Sequence, residues 1–218
     1  RYPAAASAGN YALFGGGYGG SNVNTVDAYD DTLTKQPVTN MLSVARNSLA
    51  AASAGNYALF GGGVDGSSYK STVDAYDDTL TKQPVTNMLS VARNTLAAAS
   101  AGNYALFGGG YDGSYRNTVD AYDDTLTKQP VTNMLSVARD SLAAASAGNY
   151  ALFGGGRDGS YRDTVDAYDD TLTKQPVTNM LSVARSHLAA ASAGNYALFG
   201  GGLGGSSYRS TVDAYIFT

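Results

Sequence analysis

Fourteen residues, AAASAGNYALFGGG, recur without a change at 4–17, 50–63, 97–110, 143–156 and 189–202. A second block, TVDAYDDTLTKQPVTNMLSVAR, recurs at 25–46, 72–93, 118–139 and 164–185, and its fifth copy reads TVDAYIFT to Thr218. The period is 46 or 47 residues. Such units bury their apolar faces by stacking on their neighbours, so the period decides the architecture before any single residue does. The repeats run at about 1–46, 47–93, 94–139, 140–185 and 186–218, within a single domain over 1–218.

One unit reads as four short strands. Strand A lies in LAAAS (Leu49–Ser53), and AGN follows as a tight turn, because Gly and Asn tolerate positive φ. Strand B is NYALFGG, with Tyr57 and Leu59 on one face and Ala58 and Phe60 on the other. Strand C is STVDAYD, and DDT then turns the chain through Asp-to-amide hydrogen bonds. Strand D lies in LTKQPV, where Pro84 cannot donate to a ladder and so marks an edge or an end. Strand B is apolar on both faces and needs cover on both. Sheets stacked face to face around an axis provide it, and four strands per 40–50 residues is the propeller pattern. The expected fold is an all-β, five-bladed β-propeller of four-stranded antiparallel blades, with a solenoid as the structural alternative. The small residues of strand A would line the axis. The last blade lacks its outer strand D, which leaves an edge open for self-association.

The small-residue strand, the apolar strand ending in Gly61 and Gly62, the VDAY tyrosine (Tyr76) and the MLSVAR segment together resemble the kelch-repeat family over nearly the whole chain. The resemblance implies a propeller whose loop face binds peptides or ligands. Two features depart from it. Kelch units usually carry a Trp in the fourth strand, where this chain has Leu80 or Gln83 and no Trp at all, and they usually form six or seven blades.

The copies differ in two windows. One lies between strands B and C: YGGSNVN (18–24), VDGSSYKS (64–71), YDGSYRN (111–117), RDGSYRD (157–163) and LGGSSYRS (203–210). The other precedes strand A: RYP (1–3), NSL (47–49), NTL (94–96), DSL (140–142) and SHL (186–188). In a meander both fall at the same end of the blade, on one face around the channel mouth. Tyr18, Tyr69, Tyr111, Tyr115, Tyr161 and Tyr208 offer amphipathic contacts, and Lys70, Arg116, Arg157, Arg162 and Arg209 offer charge. Asn47 and His187 complete the candidate ligand-binding set. Aromatic, basic and Ser/Gly residues together are the composition of a paratope. Drift in tolerant hairpin loops gives the same composition.

Other chemistry finds little support. With one His and no Cys, no zinc site is expected, and no other metal or cofactor. The repeated Asp pairs (Asp30/Asp31 and equivalents) are read as turns rather than calcium ligands. Arg46, Arg93, Arg139 and Arg185 are read as structural, bonding carbonyls between blades. A net charge of −4 argues against a nucleic-acid binder. No apolar run is long enough for a transmembrane helix, and the opening RYPAAASAGN is unlike a signal peptide. The expected function is non-enzymatic recognition of a peptide, protein or glycan, as in an adhesin or phage receptor-binding module at a cell or virion surface. The alternative is an engineered or recently amplified repeat scaffold with no evolved ligand.

Overall fold

The structure, a computed structural model, describes residues 1–217, so the final residue of the terminal YIFT lies outside it. Blade 1 comprises β1 (Ala4–Ala8), β2 (Tyr11–Gly15), β3 (Val26–Tyr29) and β4 (Lys35–Gln36). Blade 2 repeats this with β5 (Ala50–Ala54), β6 (Tyr57–Gly61), β7 (Val73–Tyr76) and β8 (Lys82–Gln83). Blade 3 has β9 (Ala97–Ala101), β10 (Tyr104–Gly108), β11 (Val119–Tyr122) and β12 (Lys128–Gln129). Blade 4 has β13 (Ala143–Ala147), β14 (Tyr150–Gly154), β15 (Val165–Tyr168) and β16 (Lys174–Gln175). Blade 5 is the three-stranded sheet β17 (Ala189–Ala193), β18 (Tyr196–Gly200) and β21 (Val212–Ile216). A small hairpin, β19 (Leu203–Gly204) with β20 (Ser207–Tyr208), sits in its B–C loop. Every sheet is an antiparallel meander, so the chain forms the five-bladed propeller its repeats predict.

Local sequence explains each blade. The A–B connection is a two-residue turn, Gly55–Asn56, with Ala54 opposite Tyr57. The C–D turn is organised by its first Asp. Asp77 Oδ1 accepts from the amides of Thr79 and Thr81 at 2.9 Å each, and its Oδ2 accepts from Gln83 Nε2. Strand D shrinks to Lys82–Gln83 and stops where Pro84 removes the next donor. Strand A starts one residue later than its composition suggests, because Leu49 instead covers Gly16 of the preceding blade.

One joint repeats between blades. The face of blade 2 formed by Ala50, Ala52, Ala54, Leu59, Val73 and Ala75 packs on Ala105, Phe107 and Tyr122 of blade 3. The Phe ring lies so close over Gly61 that a Cβ there would stand 2.8 Å from it, which is why no larger residue ends strand B. Arg46, fully buried, reaches into blade 2, donating to the Phe60 carbonyl at 3.1 Å and pairing with Asp74 at 2.9 Å. Arg93, Arg139 and Arg185 do the same at the next three joints. Burial pushes the Asp74 carboxyl up, but Arg46, Lys82 and the Ser43 amide outweigh it and hold it below its ordinary value. At the axis the serines interlock. Ser53 Oγ donates to Ser7 O at 2.7 Å and accepts from Ser7 N at 3.1 Å, and the pattern continues through Ser100 and Ser146 to Ser192.

The fifth joint is missing. Among the described residues no hydrogen bond or ion pair links blade 5 to blade 1, and the serine ladder stops at Ser192. Phe14 is 45% exposed where Phe60 and Phe107 are 0%. On the far side Val212 is 62% exposed where Val119 is 4%. Strand β17, expected to line a closed channel, is largely exposed instead. The propeller is therefore an open arc with a seam between its first and last blades.

Candidate functional site at the channel mouth

The two variable windows meet at one end of every blade, and the main chain joins them. Asn47 N donates to Val64 O at 3.0 Å and Val64 N returns the bond to Asn47 O at 2.9 Å. Val64 in turn bridges to Tyr69. The same three-residue ladder recurs as Asn94–Tyr111–Tyr115, Asp140–Arg157–Tyr161 and Ser186–Leu203–Tyr208. Blade 1 keeps a reduced form, with Tyr18 bridged to Asn22 and its amide bonded to Arg1 O. Because the ladder is built from backbone groups, it fixes these positions whatever side chain they carry.

Inside this ladder runs a tighter arc. Tyr2, Ser48, Thr95, Ser141 and His187 all adopt left-handed backbone, with φ between 50° and 60°. All but Tyr2 hand a hydrogen bond to the blade before: Ser48 N to Tyr2 O, Thr95 N to Ser48 O, Ser141 N to Thr95 O and His187 N to Ser141 O. Left-handed φ costs a non-glycine residue about 1–2 kcal/mol. Here it turns amides and carbonyls around the axis so that neighbouring blades bond. The five side chains rim a cavity of about 620 Å3 whose floor is Pro3, Leu49, Leu96, Leu142 and Leu188. That volume falls within the range of small-ligand pockets.

The sequence-derived candidates distribute unevenly over this face. His187 lines the cavity, with its Nδ1 2.9 Å from Ser186 Oγ. Asn47 lies behind the rim and donates to Asn22 Oδ1. Tyr69, Tyr111 and Tyr115 form an edge-to-face cluster across blades 2 and 3, with centroids 6.2 and 5.4 Å apart. Tyr18, Tyr161 and Tyr208 lie on the outer face, Tyr18 and Tyr208 exposed and Tyr161 half-buried.

Four of the five cations are paired with carboxylates. Lys70 pairs with Asp65 at 2.5 Å, Arg116 with Asp112 at 2.6 Å, Arg157 with Asp140 at 3.3 Å, and Arg162 with Asp158. Arg209 donates to Gly204 O. Lys70, with the amides of Ser68 and Ser67, holds the Asp65 carboxyl well below its usual range, and Arg116 and Arg162 lower Asp112 and Asp158 likewise. Lys70, Arg116, Arg162 and Arg209 brace their own loops, while Arg157 reaches across to the window before strand A.

The rim residues Tyr2, Ser48, Thr95 and Ser141 were missed as individual candidates. Their signal was present: each is the middle residue of the window before strand A. Among the described residues no cluster of His and carboxylate side chains suits a metal ion. No helix is long and apolar enough to cross a membrane.

No known protein-family profile matches the chain, and no curated protein matches it in sequence. Among solved structures it resembles that of YjhT, with a TM-score of 0.74 and 14% identity, covering 97% of this chain and 80% of that one. At that identity the likeness is one of fold, and it places this chain among the β-propellers.

Proposed function

We propose that this kelch-like propeller is a non-enzymatic recognition module that takes its ligand at the channel mouth. The observation that carries the reading is the rim. Five variable side chains stand on strained left-handed backbone around an apolar floor, whereas the joints beneath them are identical. Strained backbone concentrates where a structure presents groups for binding. Hydroxyls, one imidazole and one phenol over a leucine floor suit a ligand with a small apolar face and several hydrogen-bonding groups. A glycan end or a peptide terminus has that character, and presentation at a cell or virion surface is in keeping with it.

The test is a glycan and peptide array probed with the chain and with the combined variant Ser48→Gly, Thr95→Gly, Ser141→Gly, His187→Gly. Glycine accepts left-handed φ, so this variant removes four of the five rim side chains without disturbing the backbone that carries them. Binding should fall at least ten-fold with thermal stability retained. Unchanged binding would reject the mouth as the site. Loss instead on Tyr→Ala changes at Tyr69, Tyr115, Tyr161 and Tyr208 would move it to the outer face.

The second reading, a repeat scaffold with no evolved ligand, draws on the ion pairs within the loops, which brace the face without reference to any partner. An empty array would favour it.

A further inference from the structure

The seam presents two different surfaces, and each is half of the joint that holds the rest of the molecule together. Within the arc, one face of each blade supplies four alanines, a leucine, a glycine and a valine. The opposing face of the next blade supplies an alanine, a phenylalanine and a tyrosine. Blade 5 leaves the first set uncovered, with Ala189, Ala191, Ala193, Val212 and Ala214 exposed and Leu198 and Gly200 half-buried. Blade 1 leaves the second uncovered, with Ala12 and Phe14 exposed and Tyr29 half-buried.

The glycines show how specific the vacancy is. A Cβ on Gly15, Gly61, Gly108 or Gly154 would collide with the Phe ring of the following blade at 2.7–2.8 Å. On Gly200 it would meet only Val212 Cγ2, at an ordinary 3.6 Å. Gly200 is thus a seat with no ring in it, and Phe14 is a ring with no seat.

We propose that a second copy of this chain docks head to tail at the seam, with Phe14 of one copy seated on Gly200 of the next. The interface repeats an established one in its apolar part. It lacks the buried arginine, because blade 5 carries no MLSVAR segment among its described residues, and Asp27 keeps the pairing with Lys35 that it has already, at 2.6 Å. The association is therefore weaker than an interior joint. Because it joins unlike surfaces, it is heterologous, and it propagates unless geometry closes it.

The experiment is the molar mass in solution of the full chain over a wide concentration range, alone and as two variants. Phe14→Asp spoils the ring and leaves the seat. Gly200→Val blocks the seat and leaves the ring, and the structure has room for its Cβ within the chain. The parent chain should exceed its 22.4 kDa monomer mass increasingly with concentration. Each variant alone should stay monomeric with an unchanged circular dichroism spectrum. An equimolar mixture of the two should give a species of twice the monomer mass and nothing larger, because one good joint remains. A parent chain that stays monomeric at every concentration overturns the proposal, since the faces would then be closing on each other or standing empty. So does a mixture that fails to dimerise. Self-association that survives in both single variants would assign the contact to the outer edge of β21 instead, and would equally overturn it.

Discussion

The interior blades and the end blades carry the same letters and live in different surroundings. Phe107 and Phe14 belong to identical fourteen-residue blocks, yet one is sealed over a glycine and the other stands half in solvent. Asp120 is buried between Arg93 and Lys128, while its copy Asp27 is exposed beside Lys35. Identity of sequence therefore does not mean identity of role. What an interior position contributes is a property of the joint, and the end blades show the same residues with that joint removed. This is the nearest-neighbour behaviour of a repeat array, in which stability is a sum over units and interfaces.

Substitutions at paired positions can break or sharpen that contrast. The largest gap is expected at the aromatic ring. Phe107→Ala should cost about 3–5 kcal/mol in urea-unfolding free energy, whereas Phe14→Ala should cost about 1 kcal/mol, because much of its ring is already in water. Equal costs would mean that the seam is closed in solution.

The ion pair comes next. Asp120→Ala leaves Arg93 buried without its partner and should cost about 3–5 kcal/mol, against less than about 1 kcal/mol for Asp27→Ala at its exposed pair. The same carboxylates set the acid limit. Asp74, Asp120 and Asp166 sit below their ordinary value of 3.8 in the folded chain, since the adjoining Arg and Lys outweigh the burial that would raise them. A folded pKa lowered in this way contributes stability that is full above 3.8 and is lost as pH falls below it toward the folded value. The urea midpoint should drop in that window, and Asp120→Asn should make the drop shallower.

The serine ladder predicts a smaller difference. Ser100→Ala removes both bonds that its hydroxyl makes to Ser53 of the preceding blade and should cost about 1–3 kcal/mol. Ser192→Ala removes a single recorded bond and should cost about half as much. The smallest pair should differ in sign. Leu33 and Leu126 both hold φ near +61°, but Leu33 is 83% exposed and Leu126 9%. Leu33→Gly should relieve strain and stabilise by up to about 1 kcal/mol. Leu126→Gly loses its apolar contacts and should destabilise by about 1–2 kcal/mol. Differential scanning calorimetry on the two variants would resolve them.

Much of this was legible in the chain. The double-faced apolar strand B, the Pro84 stop, the Asp turn and the interblade arginine each follow from local chemistry, and the structure has all four. The meeting of the two variable windows followed from meander topology. The open seam did not. Each joint sets the angle to the next blade through packing, and five copies of one sequence say nothing about where those angles sum. The quenched loop cations were closer to reading distance: Asp112 and Arg116, or Asp158 and Arg162, stand four residues apart around a Gly-Ser turn, within reach of a single carboxylate. The left-handed rim was the least visible, because Ser, Thr and His carry no signature of positive φ. It arises from bonds between blades rather than from the residues themselves.

The ladder that ties each blade's two windows together has a consequence for how such a face can change. In blade 4 both windows depart from the others at once, with Asp140 where blades 2 and 3 have Asn, and Arg157 where they have Val or Tyr. Those two substitutions form a salt bridge across seventeen residues of chain. Each is the other's counter-charge, so they are expected to be inherited as a couple. A unit copied or lost whole carries both halves of the couple with it, while exchange with a point inside strand A or B would part them. The repeat is thus a cassette, whose natural cut sites lie where the ladder is not.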